Sequence, residues 1–192
     1  MINKLLFILS ISMIFLILLI GCSQTDSSFM GLGRSPFLQA VEIGDTTAIR
    51  ALLNKGANPN EADDLGWTAL MNASGKGYTE VVKMLLDKGA PVNAKTVNNW
   101  TALMRAAEKG KADTAELLLK RGAIYNIQNN SGVTPLMLAV ESGYAATVKI
   151  LLAQKKIDLN ITDKSGRTAM AIAKRKKNIE IINLLHYAGA KD

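Results

Sequence analysis

TALMNASGKGYTEVVKMLLDKGAPVNAKTVNNW, residues 68–100, is followed directly by TALMRAAEKGKADTAELLLKRGAIYNIQNNSGV, residues 101–133. Laid one over the other, both open on Thr-Ala-Leu-Met, carry Gly nine residues later, a Leu-Leu pair seventeen later and Gly-Ala after that. Ser35-Pro36-Phe37-Leu38, Thr134-Pro135-Leu136-Met137 and Thr168-Ala169-Met170-Ala171 open three more units, so the five starts are spaced 33, 33, 33 and 34 residues apart. Gly44, Gly77, Gly110 and Gly143 keep the ninth position and Lys177 breaks it. Leu52-Leu53, Leu85-Leu86, Leu118-Leu119, Leu151-Leu152 and Leu185-His186 keep the seventeenth, and Gly56-Ala57, Gly89-Ala90, Gly122-Ala123 and Gly189-Ala190 close four of the five units. Self-similarity at a fixed period of this length marks a stacked repeat.

Each recurring position has a physical task. Threonine before an apolar run caps a helix, because its hydroxyl accepts an orphan amide hydrogen of the first turn. A first helix of about eight residues then ends at glycine, which takes a left-handed conformation without a side-chain clash. The second helix, read as Tyr78 to Lys88 in one unit, puts Val81, Val82, Leu85 and Leu86 at helical spacing and so makes the seam between units. Asn60, Asn93, Asn126 and Asn160 begin links that should project as hairpin-like loops. One helix pair cannot bury its apolar face alone, so stability comes from neighbours stacked at roughly 10 Å. Five units exceed the practical minimum of about three. The fold expected is an all-α solenoid of helix-turn-helix repeats.

Over residues 35–192, with units starting near 35, 68, 101, 134 and 168, the pattern resembles the ankyrin repeat. It departs from it in places. The histidine of the Thr-Pro-Leu-His signature is replaced throughout, by Leu38, Met71, Met104, Met137 and Ala171, so apolar packing must stand in for the hydrogen bonds it makes between units. Lys155-Lys156-Ile157-Asp158 replaces one Gly-Ala turn and adds a residue, which leaves the geometry of that loop open. Lys174-Arg175-Lys176-Lys177 fits a solvated end cap.

The resemblance implies a non-enzymatic protein that binds another protein on a concave surface built from loop tips and the outer side of each first helix. Those positions are Asp64, Leu65, Trp67, Gly75 and Lys76 in the second unit and Val97, Asn98, Trp100, Glu108 and Lys109 in the third. The fourth supplies Asn130, Ser131, Val133, Glu141 and Ser142, the fifth Lys164, Ser165, Arg167, Arg175 and Lys176. Trp67 and Trp100, the only tryptophans, stand one residue before a capping threonine. Two readings are open: the indoles anchor a partner, as tryptophan often does, or each ring braces the neighbouring loop. On the first, replacing both by alanine should cost affinity and leave the melting temperature nearly unchanged. Asn72 and Arg105 hold a usually apolar first-helix position, either as partner contacts or as solvated, snorkelling side chains. The array is expected to be a monomer.

Upstream of the repeats, Met1 to Lys4 is a short basic start and Leu5 to Ile20 is almost wholly apolar. As a helix those 16 residues extend about 24 Å, short of a hydrocarbon core of about 30 Å. By its parts this is a secretory signal. Leu19-Ile20-Gly21-Cys22 resembles the lipobox of bacterial lipoproteins, which implies cleavage before Cys22 and attachment of lipid to its thiol. Residues 1–21 then form the signal peptide and 22–34 a flexible tether. Ser23 implies outer-membrane sorting in a Gram-negative cell, hence a periplasmic, lipid-anchored protein of the envelope. The alternative is an uncleaved membrane helix with an incidental thiol. Cys22 is the one cysteine, so no intramolecular disulfide can form.

The net charge of +7 becomes +6 once Lys4 is removed. Such a charge favours acidic partners or an anionic membrane, and it also merely keeps a small domain soluble. No catalytic constellation stands out. The single histidine, His186, sits where leucine packs in other units, and one Cys with one His does not make a zinc site. There is no phosphate-binding glycine loop, and Met71, Met104 and Met137 read as packing. No cofactor, metal or nucleic acid is expected; anionic lipid is the better target for Lys174 to Lys177. Small exported ankyrin proteins of this appearance imply an immunity or peroxide-stress role. The alternative is an envelope scaffold with a resident membrane-protein partner.

Overall fold

The computed structural model describes residues 35–191. The signal peptide, Cys22 and the tether lie outside them. Ten helices occur among the described residues, two per unit: α1 (Pro36–Ile43) and α2 (Thr46–Asn54), α3 (Ala69–Lys76) and α4 (Thr79–Asp87), α5 (Ala102–Glu108) and α6 (Ala112–Lys120), α7 (Pro135–Ser142) and α8 (Ala145–Leu152), α9 (Ala169–Lys176) and α10 (Ile179–Tyr187). Odd-numbered helices stack on one another as one layer, and even-numbered helices form the second. The all-α solenoid is therefore present, and its loops hold no strand, only an isolated bridge between Ala62 and Thr68.

The caps form as the sequence requires. The hydroxyls of Thr68, Thr101, Thr134 and Thr168 accept the amide hydrogens of Met71, Met104, Met137 and Ala171 at 3.2, 3.3, 3.2 and 3.2 Å. Gly110 shows why its column favours glycine: φ is +64°, and a methyl built there would lie 2.5 Å from the Tyr144 ring. Lys177 holds the same left-handed turn at φ +56° with a full side chain. The second helix of the second unit is one residue shorter at each end than expected, with Tyr78 and Lys88 as its caps.

One continuous core runs through the units. Met71, Met104 and Met137 are 0, 0 and 1% exposed, so thioethers do fill the site of the missing histidine. Ala40, Ala73, Ala106, Ala139 and Ala173 are buried in every unit, where a small side chain lets first helices approach closely. Polar bridges between units come from other residues. Asn93 donates to the Gly122 carbonyl at 3.0 Å and accepts from the Ile124 amide at 2.9 Å. Asn126 does the same to Lys156 and Asp158 at 2.8 and 3.1 Å, so the extra residue of that loop is absorbed without losing the clamp.

His186 corrects an expectation. It occupies the leucine column but is exposed, because that column faces the following unit and no described unit stacks on the fifth.

Candidate binding surface

Four five-residue turns carry the loop tips, each organised by a side chain that the sequence reading passed over. Asp63 Oδ1 accepts the Leu65 and Trp67 amides at 3.0 and 2.9 Å. Thr96 Oγ1 accepts those of Asn98 and Trp100 at 3.3 and 3.0 Å. Asn129 Oδ1 takes Ser131 and Val133 at 2.9 and 3.0 Å, and Asp163 Oδ1 takes Ser165 and Arg167 at 2.8 and 3.0 Å. Three of these four, Thr96, Asn129 and Asp163, are buried. The signal was available, since each stands five residues before a capping threonine; their differing chemistry, Asp, Thr, Asn and Asp, hid the column. What they share is an oxygen that accepts two backbone hydrogens.

The tips are then tied to one another. The Val97 amide donates to the Leu65 carbonyl, Asn130 to Asn98 and Lys164 to Ser131, each at 3.0 Å. Asn99 stands at φ +58° where other turns use glycine, and its side-chain Nδ2 donates to Asn130 Oδ1 at 2.7 Å. Gly132 has no such latitude: a methyl there would sit 2.9 Å from the Lys164 nitrogen. The row is thus a hydrogen-bonded ladder with its side chains held in register.

On this ladder Leu65 and Val97 are 56 and 62% exposed and adjacent. Asp64, Asn98, Asn130, Ser131, Lys164 and Ser165 are exposed beside them, while Val133 is half-buried against the core and Arg167 half-buried. Trp67 and Trp100 are half-buried, with ring centroids 6.1 Å apart and planes tilted by 45°. The Arg105 guanidinium lies over the Trp67 ring, 5.1 Å from its centroid, and pairs with Glu108. The indoles brace one another and still present a face to solvent, and Trp67 packs on the core. The expectation that their removal would leave the melting temperature unchanged is accordingly corrected: packed area and ring contact are lost with them.

Gly75 also needs correcting. It is buried beneath Arg105, whose Nε lies 3.3 Å from where a methyl would stand. The small residue makes room for the arginine, and Arg105 covers protein instead of reaching freely into water. Asn72 is half-buried.

Along the first helices, charges pair within a unit and from one unit to the next. Lys76 meets Glu42 at 2.7 Å, Lys109 lies 3.8 Å from Glu108, and Arg175 and Lys176 meet Glu141 at 2.6 and 3.1 Å. Burial pushes the Glu141 carboxyl up, but its hydrogen bonds to Lys176 and Arg175 outweigh this and hold it below the ordinary glutamate value. Exposed pairs of this kind set register more than stability. The exposed aliphatic tips thus belong to the second and third units, Leu65 and Val97, while the fourth and fifth tips carry Asn130, Ser131, Lys164 and Ser165.

A family model described as "Ankyrin repeats (3 copies)" matches residues 10–96, 37–129 and 103–192. The chain belongs to the ankyrin-repeat family. A comparison with curated proteins gave no match. Ankyrin repeats are a protein–protein interaction domain, and among the described residues no three His, Cys, Asp or Glu side chains are placed to hold a metal ion.

Proposed function

We propose that this ankyrin array holds a protein partner on the loop row and first helices of its second and third units, without catalysing a reaction. The observation that carries this is the pair of exposed aliphatic tips, Leu65 and Val97, set beside the Trp67–Trp100 pair on a hydrogen-bonded ladder. Apolar tips next to partly exposed indoles are what an interface core requires, and a ladder that is already ordered loses little entropy on binding. Asp64, Asn98, Lys76, Lys109, Glu108 and Glu141 form its polar rim, with Val133 as the next position in the tryptophan column.

The sequence also supports an envelope location. In this reading Cys22 carries lipid, the array is a monomer tethered through residues 22–34, and its partner is met outside the cytoplasm, in an immunity or peroxide-stress role. A Cys22→Ser chain that still incorporates labelled fatty acid would remove the anchor from this account.

A photo-crosslinking residue placed at 65 or 97 in the full chain is expected to capture a partner in cells, whereas one at Lys83, exposed on the second-helix layer, should not. Equal capture from all three positions, or capture from 83 alone, would move the interface to the other face. A resident membrane protein recovered under all conditions would favour a scaffold, and an effector recovered only under challenge would favour immunity.

A further inference from the structure

Residues 35–148 hold eleven lysines and arginines against eleven acids, whereas residues 149–192 hold ten against four. Nearly all the excess of positive charge within the repeats thus sits on the last unit and the loop that leads to it, Lys149 on α8 being the exception. Within that unit the charge has a particular address. In the second to fourth units, the position six after the capping threonine is Ser74, Ala107 or Val140, each buried. In the fifth it is Lys174, which is exposed, as is Ala171 in the column of the buried methionines. These columns face the next unit, and among the described residues none covers them in the fifth, where they form an open end face.

The end face is not the uniformly polar surface that a solvated cap calls for. Ile179, Asn183 and His186 fall at i, i+4 and i+7 along α10, with Tyr187 beside them, and all four are exposed. Ile179 is 66% and Tyr187 92% exposed. At its edge stands Lys177, left-handed at φ +56° where every other unit has glycine. A side chain with a β-carbon is disfavoured in that conformation, so the positive charge is placed there against the local preference of the backbone.

We propose that this end face docks on an anionic phospholipid bilayer, with Ile179 and Tyr187 entering the headgroup boundary and Lys174 and Lys177 lying against the phosphates. Exposed apolar groups together with exposed lysines on one unit are the combination that adsorbs to such a surface, each lysine adding to the attraction. A nucleic acid would use the lysines but give Ile179 no partner. A second copy docked end to end would bring two sets of lysines together. The face lies apart from the Trp67–Trp100 row, and the inference does not rest on the reading of that row.

The test is lysine footprinting of the full-length chain in vesicles of phosphatidylcholine alone or with one part in three phosphatidylglycerol. A water-soluble amine reagent should label Lys174 and Lys177 several-fold less in the anionic vesicles, with recovery in high salt. Lys55 and Lys88, in the first two units, should be unchanged. Lys177→Gly should lower the ratio of docked to free about fivefold, one lysine's share, without lowering the denaturation midpoint, which separates lost docking from lost folding. Ile179→Ser with Tyr187→Ser should weaken docking at low and high salt alike. Equal labelling in the two vesicle types would overturn the proposal. Protection by an oligonucleotide but not by vesicles would overturn it too, as would protection that follows protein density whatever the lipid charge.

Discussion

Replacing Trp67 and Trp100 by alanine, singly and together, separates what each indole does for the fold from what it offers a partner. A fully buried tryptophan costs about 3–5 kcal/mol when cut to alanine, so half-buried rings scale to about 2 kcal/mol each. An aromatic pair contributes about 0.5–1.5 kcal/mol beyond burial, and rings 6.1 Å apart at 45° fall in that geometry. The Arg105 guanidinium above Trp67 adds about 0.5–1 kcal/mol at a partly exposed site, and it is lost only when Trp67 goes. Trp67→Ala should therefore be the more damaging single change. The double variant should cost about 1 kcal/mol less than the two singles added, because the ring contact can be removed only once. With the pair contribution included each single change costs about 3 kcal/mol or more, and at about 2–4 °C per kcal/mol this lowers the melting temperature by roughly 6–12 °C. Urea titration followed by circular dichroism gives the three midpoints. Strict additivity, or midpoints equal to the parent's, would refute the stacked arrangement and return both indoles to solvent.

Met104→Ala should cost about 2–5 kcal/mol in the same titration, since its side chain is fully buried where the usual histidine is missing; a loss below 1 kcal/mol would mean that the seam collapses around the gap. Asn126→Ala should cost about 1–2 kcal/mol for its two bridging hydrogen bonds, with faster hydrogen exchange at the Asp158 amide and none of the change at Ile124, which Asn93 holds. Burial raises the Asp163 carboxyl, but the hydrogen bond from Arg167, aided by the Ser165 and Arg167 amides, brings it below the ordinary aspartate value. With the folded value lower than the unfolded one, the stabilisation is complete above the unfolded value and drains away as pH falls through the folded one. Asp163→Asn keeps the acceptor, as Asn129 shows in the preceding unit, and should flatten only this acid limb; an unchanged acid limb would contradict the assignment.

Most of the fold was legible because helix caps and core positions admit few residue types. Threonine at a cap and leucine in a seam recur recognisably, and the period follows from them. The loop turns were not legible in the same way. Asp63, Thr96, Asn129 and Asp163 perform one task with three side-chain types, since only an acceptor oxygen at the right distance is needed. Gly75 misled for a different reason: its place on the outer side of a first helix suggested exposure. Arg105, 30 residues later in the chain, lies across it, and no reading of one unit alone can see a side chain delivered by the next.

That dependence on the neighbour also explains why the two ends of the array differ in chemistry while its units share one pattern. A column facing the next unit is apolar when that unit is present, as at Met71, Met104 and Met137. At the fifth unit that column and two others facing the same way are released from packing, and Ala171, Lys174 and His186 fill them. Release from packing accounts for the loss of leucine and methionine there, and for any soluble replacement. It does not account for Ile179 and Tyr187 standing in water, nor for a lysine in a left-handed turn that glycine fills elsewhere. Those three residues work against solubility or against backbone preference on a face with no packing role among the described residues, so their explanation has to come from something that meets the face from outside.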